Sequence, residues 1–425
     1  MTPSPLSVAL LNYAMLGYLA AMTVYVLYFV SKKRWSYIAA PAIFGASALA
    51  HGTSLALRWF QGGLYRPPWT NLYESLVYFS FGLAVLSLVV DLRFKLRYVG
   101  AFVTPLVFSG LGLAYLVPIK EITPLVPSLQ SWWILAHSCL AAFAYSGFIV
   151  ASVLAFLYLV KTGMSERWLG FSTALTILGT LLLVGGGDVF LKGLYMMSEV
   201  VFVGGKWQKN PIPGSDPIKF FEISVPYLPQ LFWVTSVLAL GAAFLHLAGG
   251  QSFHKRGRDL LLISFVSYLA LIGTMIGIIA QYQSVGMGSN PYSLFLLILM
   301  AAATGFSIAY LYRGARIAAK LPDARWLDGV SYKVTLFAFP FMTLILITGA
   351  IWAHEAWGRY WGWDPKETTA LVTWLIYAGY LHGRFTPGWT GKRAAVISVI
   401  GFFSVIFTYL GTNLVLSGLH SYGSK

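Results

Sequence analysis

The chain contains twelve long apolar stretches, and these constrain its fold more than any other feature. As helices, stretches of about 20 residues can span a hydrocarbon core about 30 Å thick. Only 10% of the 425 residues are charged, against about a quarter in soluble domains. The sequence therefore predicts an all-α, polytopic integral membrane protein with about twelve transmembrane helices. The predicted spans are residues 8–30, 37–58, 72–90, 98–117, 131–160, 169–186, 229–250, 260–281, 292–312, 332–353, 367–386 and 395–417.

The basic residues are concentrated on alternate loops. If the N-terminus lies outside the cytoplasm, the inner loops and Lys333 together hold 19 of the 29 Lys and Arg residues, but only 5 of the 14 Asp and Glu residues. Basic residues collect in cytoplasmic loops of membrane proteins. We therefore predict extracytoplasmic termini in a multi-pass protein of the plasma (inner) membrane. The net charge of +15 is explained by this topology, so no nucleic-acid partner is expected.

The single cysteine, Cys139, lies inside an apolar span. The chain therefore has neither a CxxC nor a CxxCH sequence. This excludes a thiol oxidoreductase of the CxxC type and a c-type cytochrome.

A cluster of aromatic residues follows the tenth span, with the sequence WAHEAWGRYWGW at residues 352–363. If residues 355–363 are helical, Trp357, Tyr360 and Trp361 share one face. Such a face can bind a flat ligand, with Trp363 at its end. Tryptophan and tyrosine also gather at membrane interfaces, so an ordinary interfacial belt is an equally open interpretation at this point.

Two sequence patterns indicate helix starts. Asp364 is a predicted N-cap, with Pro365 as the first helical residue and Glu367 as the reciprocal cap. Asn71 and Glu74 form the same pattern at the start of the third span. The favoured interpretation of Glu74 is therefore that it serves only as a cap.

Three histidines occupy informative positions. His137 lies near the outer end of the fifth span, and His420 lies just beyond the last span. His382 lies at the inner end of the eleventh span, about 24 Å from Lys366 at the helical rise of 1.5 Å per residue. A lone histidine in a helix is more often structural, but an ionisable residue at membrane depth is a functional candidate.

Two outer histidines beside an aromatic surface suit a flat, anionic macrocycle with a six-coordinate metal, such as haem. Imidazole is a good axial ligand for haem iron, and aromatic rings stack on one another. Arg359 or Lys366 can pair with the propionates. The spacing permits haem without identifying it.

Several segments together resemble the tryptophan-rich WWD signature of haem-handling proteins. The longest is WGRYWGWDPKETTALVTWLIYAGYLHGR at residues 357–384, and it is joined by TNLYESL at 70–76, WWILAHSCLAAFAYSGF at 132–148 and GTNLVLSGLHSYG at 411–423. They are most similar to the CcsA/ResC type of cytochrome c biogenesis protein, within the CcmF/CcmC/CcsA superfamily.

The resemblance implies a haem export and presentation subunit of a cytochrome c haem lyase, which is a holocytochrome c synthase complex. Haem b would be its cofactor, a CcsB/ResB-type membrane protein its partner, and apocytochrome c with a CxxCH segment the acceptor. The resemblance implies that His137 and His420 are the axial ligands of an outward haem, and that His382 is an intramembrane ligand opposite one from the partner. The other haem-binding residues implied are Trp357, Arg359, Tyr360, Trp361, Trp363 and Asp364.

Members of this family commonly have eight spans, which match spans one to five and ten to twelve here. The sequence thus predicts an N-terminal region at 1–165, inserted helices at 166–313 and a C-terminal core at 314–425, with an extracytoplasmic loop at 187–228 within the insertion. A second departure is His354, where relatives often carry asparagine. Whether His354 or His51 binds haem stays open.

Two other classes of function are weighed against this one. A proton-coupled transporter would use a relay such as His51, Glu74 and Asp188, but the spans are nearly free of charged residues, which disfavours it. A structural subunit of a respiratory complex would use the aromatic cluster only as an interfacial belt.

Overall fold

A computed structural model of the chain describes residues 2–63, 65–117, 120–125, 129–199, 201–203, 206–208, 220–283, 287–288 and 291–412. His420 lies outside the described residues, as does nearly all of the C-terminal segment 411–423 that contributes to the resemblance.

Twelve α-helices make up most of the described chain. They are α1 Pro5–Ser31, α2 Arg34–Gly62, α3 Leu72–Phe94, α4 Arg97–Leu116, α5 Trp132–Thr162, α6 Glu166–Gly185, α7 Leu228–Ala248, α8 Gln251–Gln283, α9 Pro291–Lys320, α10 Ala324–Trp357, α11 Pro365–Gly383 and α12 Lys392–Ile406. Short π-helical segments, Gly186–Leu191 and Phe407–Gly411, follow α6 and α12. The strands are β1 Leu194–Glu199, β2 Val201–Val203, β3 Lys206–Gln208, β4 Phe220–Ser224 and β5 Met287–Gly288.

Eleven of the described helices are long and apolar enough to cross a membrane. The remaining one is α11, a helix of 19 residues whose first turn carries Lys366 and Glu367 and whose end carries His382. These polar residues lower its mean hydropathy. The predicted all-α, polytopic membrane fold is confirmed, and every predicted span overlaps a helix. The orientation of the termini stays a prediction.

The chain divides into two compact units. The first comprises Met1–Thr162 and Ala318–Lys425, and the second comprises Gly163–Ile317. The predicted N-terminal region at 1–165 and C-terminal core at 314–425 therefore fall almost wholly within the first unit.

In the first unit α5 lies at the centre and packs against α3, α10 and α12. Gly147 allows the close approach of α5 to α10, because a Cβ atom at this position would lie 2.6 Å from the Cβ of Ala338. The ring of Phe148 stacks on that of Tyr377 with centroids 3.5 Å apart. This close packing fixes the positions of side chains on α5 relative to those on α10 and α11.

The second unit contains α6 to α9 and the short strands. β1 pairs antiparallel with both β4 and β5 in a three-stranded sheet, and β2 pairs with β3. β1 to β4 lie within residues 187–228, between α6 and α7, and the interpretation of this range as an extracytoplasmic loop stays a prediction. The core of this unit is built around buried residues of α8, including Tyr268, Leu271 and Met275.

Candidate functional site

α10 extends into the aromatic cluster and ends within it. α10 ends at Trp357, and Gly358 adopts the left-handed conformation with φ 72° while its N–H donates to the carbonyl of His354 at 2.8 Å. Glycine is common at this position because it lacks a Cβ atom. Only residues 355–357 of the segment 355–363 are helical, so the condition for a shared helical face of Trp357, Tyr360 and Trp361 is not met.

The start of α11 holds the next turn of chain in place. Asp364 accepts a hydrogen bond from the N–H of Lys366 at 3.1 Å, and the Glu367 carboxylate accepts from the N–H groups of Gly362 and Asp364 at 2.7 and 3.3 Å. Pro365 is the first helical residue. The predicted capping box is confirmed, and it also anchors Gly362, so the aromatic residues just before it have a defined position.

The aromatic side chains of this turn point in different directions. The Tyr360 ring stacks on that of His354, with centroids 4.2 Å apart and planes at 7°. The rings of Trp361 and Trp363 are perpendicular, with centroids 5.7 Å apart. Trp363 has a left-handed φ of 57° and its side chain is exposed.

A pocket in the first unit, called here the His137 pocket, is lined by residues of α3, α5, α10 and α11, of the segments before α3, α5 and α11, and of the π-helical segment after α12. Its lining residues are Trp69, Thr70, Asn71, Leu72, Ser75, Phe79, Leu129, Ile134, His137, Ser138, Ala141, Tyr145, Ile345, Leu346, Gly349, Ala350, Trp352, Tyr360, Trp361, Lys366, Glu367, Ala370 and Tyr409. The lining is mostly apolar and aromatic, with one histidine and one lysine, which is typical of a site for an organic ligand.

His137 is half-buried in this pocket and lies against α10. Its Nδ1 atom is 3.4 Å from Oγ1 of Thr348. Its ring faces the buried Trp352, with centroids 6.2 Å apart and planes at 31°. Gly349 lies beside the ring. The sequence identified His137 but missed Thr348 and Gly349, because nothing in the sequence places α10 against α5.

Another wall of the pocket is fixed by a buried ion-pair cluster around Glu74. Asn71 caps α3 as predicted, since its Oδ1 accepts from the N–H of Glu74 at 2.8 Å. The Glu74 carboxylate is fully buried and accepts from Arg58 Nε at 2.8 Å, Arg66 Nη1 at 2.9 Å, and the N–H and hydroxyl of Thr70 at 3.1 and 2.9 Å. The interpretation of Glu74 as only a cap is wrong.

Two side chains of this wall carry buried donors that have no partner among the described residues. They are Nε1 of Trp69 and Nδ2 of Asn71. The assignment of Nδ2 follows from the cap, because the other amide atom must be the acceptor for the Glu74 N–H. A buried donor without an acceptor costs about 1–3 kcal/mol, so these two nitrogens favour a ligand that presents oxygen acceptors.

The structure brings together only some of the predicted site residues. His137, Tyr360 and Trp361 line the His137 pocket. The other described candidates are not among its lining residues, although Asp364 caps α11 next to it. These are Trp357, Arg359, Trp363, Asp364 and His382.

Arg359 and Trp357 are held elsewhere. Arg359 lies over Gly362, where a Cβ atom would come within 2.5 Å of the guanidinium carbon. Trp357 packs against the buried Trp352, with ring centroids 4.9 Å apart. Both residues therefore support the turn of chain that carries Tyr360 and Trp361.

His382 lies at the opposite end of α11 from the pocket, and its side chain is exposed. Two residues on, Arg384 makes a bidentate ion pair with Asp328, with N···O distances of 2.8 and 2.9 Å. This pair ties the end of α11 to the start of α10. His382 is therefore presented on the surface of the unit by a fixed helix end.

Comparisons with known proteins agree on one family. The family model described as "Cytochrome C assembly protein" matches residues 69–210 and 225–420. A "Cytochrome c biogenesis protein CcsA" of Trichormus variabilis is 30% identical over 378 residues, covering 88% of this chain and 85% of that protein. The CcsA of Porphyra purpurea is 29% identical over 425 residues, covering 97% of this chain and 96% of that protein.

The alignment with the Porphyra purpurea protein includes the region of the second unit, because it covers nearly the whole of both chains. The interpretation of the second unit as an insertion relative to eight-span proteins stays a prediction. The match to a solved structure of "Cytochrome c Heme Lyase CcmF" covers 99% of this chain and 73% of that one, with 18% identity and a TM-score of 0.34. The family model and the CcsA relatives show that this chain belongs to the cytochrome c assembly protein family.

Proposed function

We propose that this membrane protein handles haem in cytochrome c biogenesis, as the subunit of a cytochrome c haem lyase that exports haem and presents it for attachment. The observation that carries the proposal is the His137 pocket, in which a histidine faces an aromatic, largely apolar space. In a chain of the cytochrome c assembly family, haem is the cargo that such a pocket fits. Among the types of haem, we propose that the cargo is haem b.

The pocket supplies each kind of contact that haem requires. Trp352, Tyr360 and Trp361 offer aromatic surface to the macrocycle. Lys366 lines the pocket while Arg359 does not, so Lys366 is the cation placed to meet the propionates. The unpartnered donors of Trp69 and Asn71 provide further hydrogen bonds to carboxylate oxygens. The residues present therefore fit the group.

His137 is the proposed axial ligand from α5, because neutral imidazole binds haem iron well. The proposed second ligand is His420, which follows from the resemblance, since this residue lies outside the described part of the chain. His137 and His420 together would hold the haem iron in this site. We propose that the opening of the pocket faces the extracytoplasmic side, in agreement with the distribution of basic residues.

The attachment reaction needs little covalent chemistry from this chain. Each thioether forms when a cysteine S–H adds across a vinyl C=C bond: sulfur bonds to one carbon, the hydrogen ends on the other, and nothing leaves. The protein contributes by holding the vinyl groups near the two thiols of the CxxCH segment of apocytochrome c, which lowers the entropic cost of the reaction. The exposed rings of Tyr360 and Trp363 are available to contact that segment.

We propose a second haem position at His382, with the opposite ligand supplied by a CcsB/ResB-type membrane partner. The exposure of His382 on a fixed helix end supports this, since a partner chain can reach it. Haem would enter there and pass to the His137 pocket at the other end of α11.

The test is to purify the chain with its partner from haem-replete cells and to measure haem by its pyridine haemochrome spectrum. We expect bound haem in the wild type and a large loss in the His137→Ala plus His420→Ala variant, with cytochrome c maturation lost in cells. His254→Ala, on α8 of the second unit, is the matched control and should leave both unchanged. A haem-free wild-type protein would refute the proposal.

The competing classes make different predictions. The transporter relay is disfavoured, because the Glu74 carboxylate is already paired with two buried arginines. A structural subunit would tolerate Trp361→Leu, whereas haem presentation would not, because Trp361 lines the pocket. Measuring cytochrome c maturation in the Trp361→Leu strain separates these two outcomes.

A further inference from the structure

One face of α10 is shaped around the imidazole ring of His137. Thr348, Gly349 and Trp352 lie within a single turn of this helix, and each meets the ring in a different way. We call these three residues the imidazole seat. They lie about 200 positions after His137 in the sequence. Their combined effect is on the orientation and protonation of the ring.

The hydroxyl of Thr348 contacts one of the two ring nitrogens of His137. This hydroxyl lies 2.8 Å from the carbonyl oxygen of Leu344, one turn earlier on α10, and donates its only hydrogen there. The Oγ1 atom can therefore only accept a hydrogen bond from Nδ1 of His137, 3.4 Å away. With the hydroxyl hydrogen on Leu344, the contact favours the tautomer in which Nδ1 carries the proton and the lone pair of the neutral ring is on Nε2.

Gly349 provides the room for the ring. A Cβ atom at this position would lie 3.0 Å from Cε1 and 3.3 Å from Nδ1 of His137, which is closer than ordinary van der Waals contact. Any side chain here would push the ring away from Thr348 and lengthen a hydrogen bond that is already long. The missing side chain of Gly349 is therefore part of the seat.

Trp352 limits rotation of the His137 imidazole about the bond that joins the ring to its side chain. Its side chain is buried and its ring lies at 31° to the imidazole, with centroids 6.2 Å apart. This separation is within the range of direct aromatic contact. Trp352 is itself packed against Trp357, so the surface that it offers to His137 is rigid.

We propose that Thr348 is a positioning residue which, together with Gly349 and Trp352, holds the His137 imidazole as the Nδ1-protonated tautomer and presents Nε2 to the iron of haem. The inference rests on the proposed function, because it takes His137 as an iron ligand. It adds a specific account of how that ligand is prepared.

The chemistry of the acceptor suits a protein that must release its cargo. A carboxylate that accepts from Nδ1–H raises the basicity of a metal-bound imidazole and strengthens the bond to the metal. The acceptor here is a hydroxyl whose own hydrogen is committed to Leu344, so it orients the ring without making it strongly basic. We expect a defined but exchangeable iron bond.

The first test compares Thr348→Val, which has the same shape but no hydroxyl, with Thr348→Ser, which keeps the hydroxyl. Loss of such a second partner of a metal-bound histidine lowers metal affinity about 10- to 100-fold. We expect Thr348→Val to weaken haem binding at least about tenfold and to lower the six-coordinate fraction in the visible spectrum. Thr348→Ser should bind as the wild type does.

Thr335→Val is the matched control, because Thr335 is buried on the same helix and its hydroxyl donates to the carbonyl of Ser331, one turn earlier, at 3.0 Å. It should leave the affinity and the spectrum unchanged. An equal loss in Thr335→Val and Thr348→Val would overturn the inference, since the effect would then come from α10 and not from the contact with His137.

A second test removes the ring and supplies it from solution. In His137→Gly, added imidazole can take the position of the side chain and donate to Thr348, whereas 1-methylimidazole has no N–H to donate. We expect imidazole to restore haem binding about tenfold better than 1-methylimidazole, following the same second-partner effect. This preference should shrink in the His137→Gly plus Thr348→Val variant, which keeps the steric surroundings. An unchanged preference would overturn the inference.

These variants separate a failure of the proposed function from a failure of the inference about the imidazole seat. If His137→Gly binds haem as the wild type does, the proposed function of His137 is wrong. If His137→Gly loses haem and imidazole restores it, but Thr348→Val binds normally, only the inference about the seat is wrong.

Gly349→Ala should fall between the wild type and Thr348→Val in haem affinity, because its methyl group displaces the His137 ring by only a few tenths of an ångström.

Discussion

Replacement of Glu74 by glutamine should be strongly destabilising, although the two side chains have almost the same shape. Glu74 is fully buried and both oxygens are used: Oε1 accepts from Arg58 and Arg66, and Oε2 accepts from Thr70. An amide has one oxygen only. If its NH₂ group faces the two guanidinium groups, both arginine hydrogen bonds are lost; if it faces Thr70, the hydrogen bond from the Thr70 N–H is lost, while the Thr70 hydroxyl can rotate to accept.

The larger effect is the loss of charge. Arg58 and Arg66 are both buried, with 6% and 7% of their surface exposed, and Glu74 is the carboxylate paired with them. Removing one partner of a buried pair costs about 3–5 kcal/mol, because the opposite charge stays buried without compensation. We therefore expect Glu74→Gln to lower the free energy of unfolding by about 3–5 kcal/mol.

This value can be measured by denaturant titration in mixed detergent micelles, with helix content as the signal. Glu166→Gln is the comparison, because the ion pair of Glu166 with Arg258 is partly exposed and such pairs contribute about 1 kcal/mol or less. A loss below about 1 kcal/mol in Glu74→Gln would refute the reasoning about burial. We also expect haem binding to fall in this variant, since the cluster holds the wall that carries Trp69 and Asn71.

Three further predictions concern the pocket and its surroundings. Trp69→Phe keeps the ring but removes the Nε1 donor, so haem should bind about tenfold more weakly while haem dimethyl ester, which lacks carboxylates, is unaffected; equal losses for both ligands in a binding titration would contradict a contact with the propionates. Asp364→Ala removes the capping box and should lower both the free energy of unfolding, by about 1 kcal/mol, and haem affinity. Asp323→Ala removes the N-cap of α10 at a similar cost in stability and should leave haem affinity unchanged. His382→Ala, purified with the partner, should lose the haem of the second position and keep that of the His137 pocket, as measured by haem per chain; unchanged haem content would count against a second position.

The features that the sequence predicts correctly depend on short-range chemistry or on the membrane. The twelve helices follow from the length of the apolar stretches, and the capping box at Asp364 follows from residues that are three positions apart. The end of α10 was also accessible in principle, because Gly358 is a typical residue after a helix end. It was missed because the spacing of Trp357, Tyr360 and Trp361 fits a helical face equally well.

The features that the sequence does not predict depend on contacts between distant segments. Glu74 follows Asn71 at the spacing of a cap, and only the folded structure shows that two arginines reach its carboxylate. The partners of His137 on α10 are equally distant from it in sequence. Arg359 was a natural candidate for the propionates on charge alone, but the structure places it over Gly362 and leaves Lys366 in the pocket.

The arrangement of the first unit sets an order of events during synthesis. Thr348 leaves the ribosome 211 residues after His137, and at about 5–20 residues per second this interval is about 10–40 s. Throughout this time α5 is present without the face of α10 that receives its histidine. The haem site proposed at His137 is therefore incomplete in the nascent chain until α10 has been made, and we expect no haem to bind there before that point.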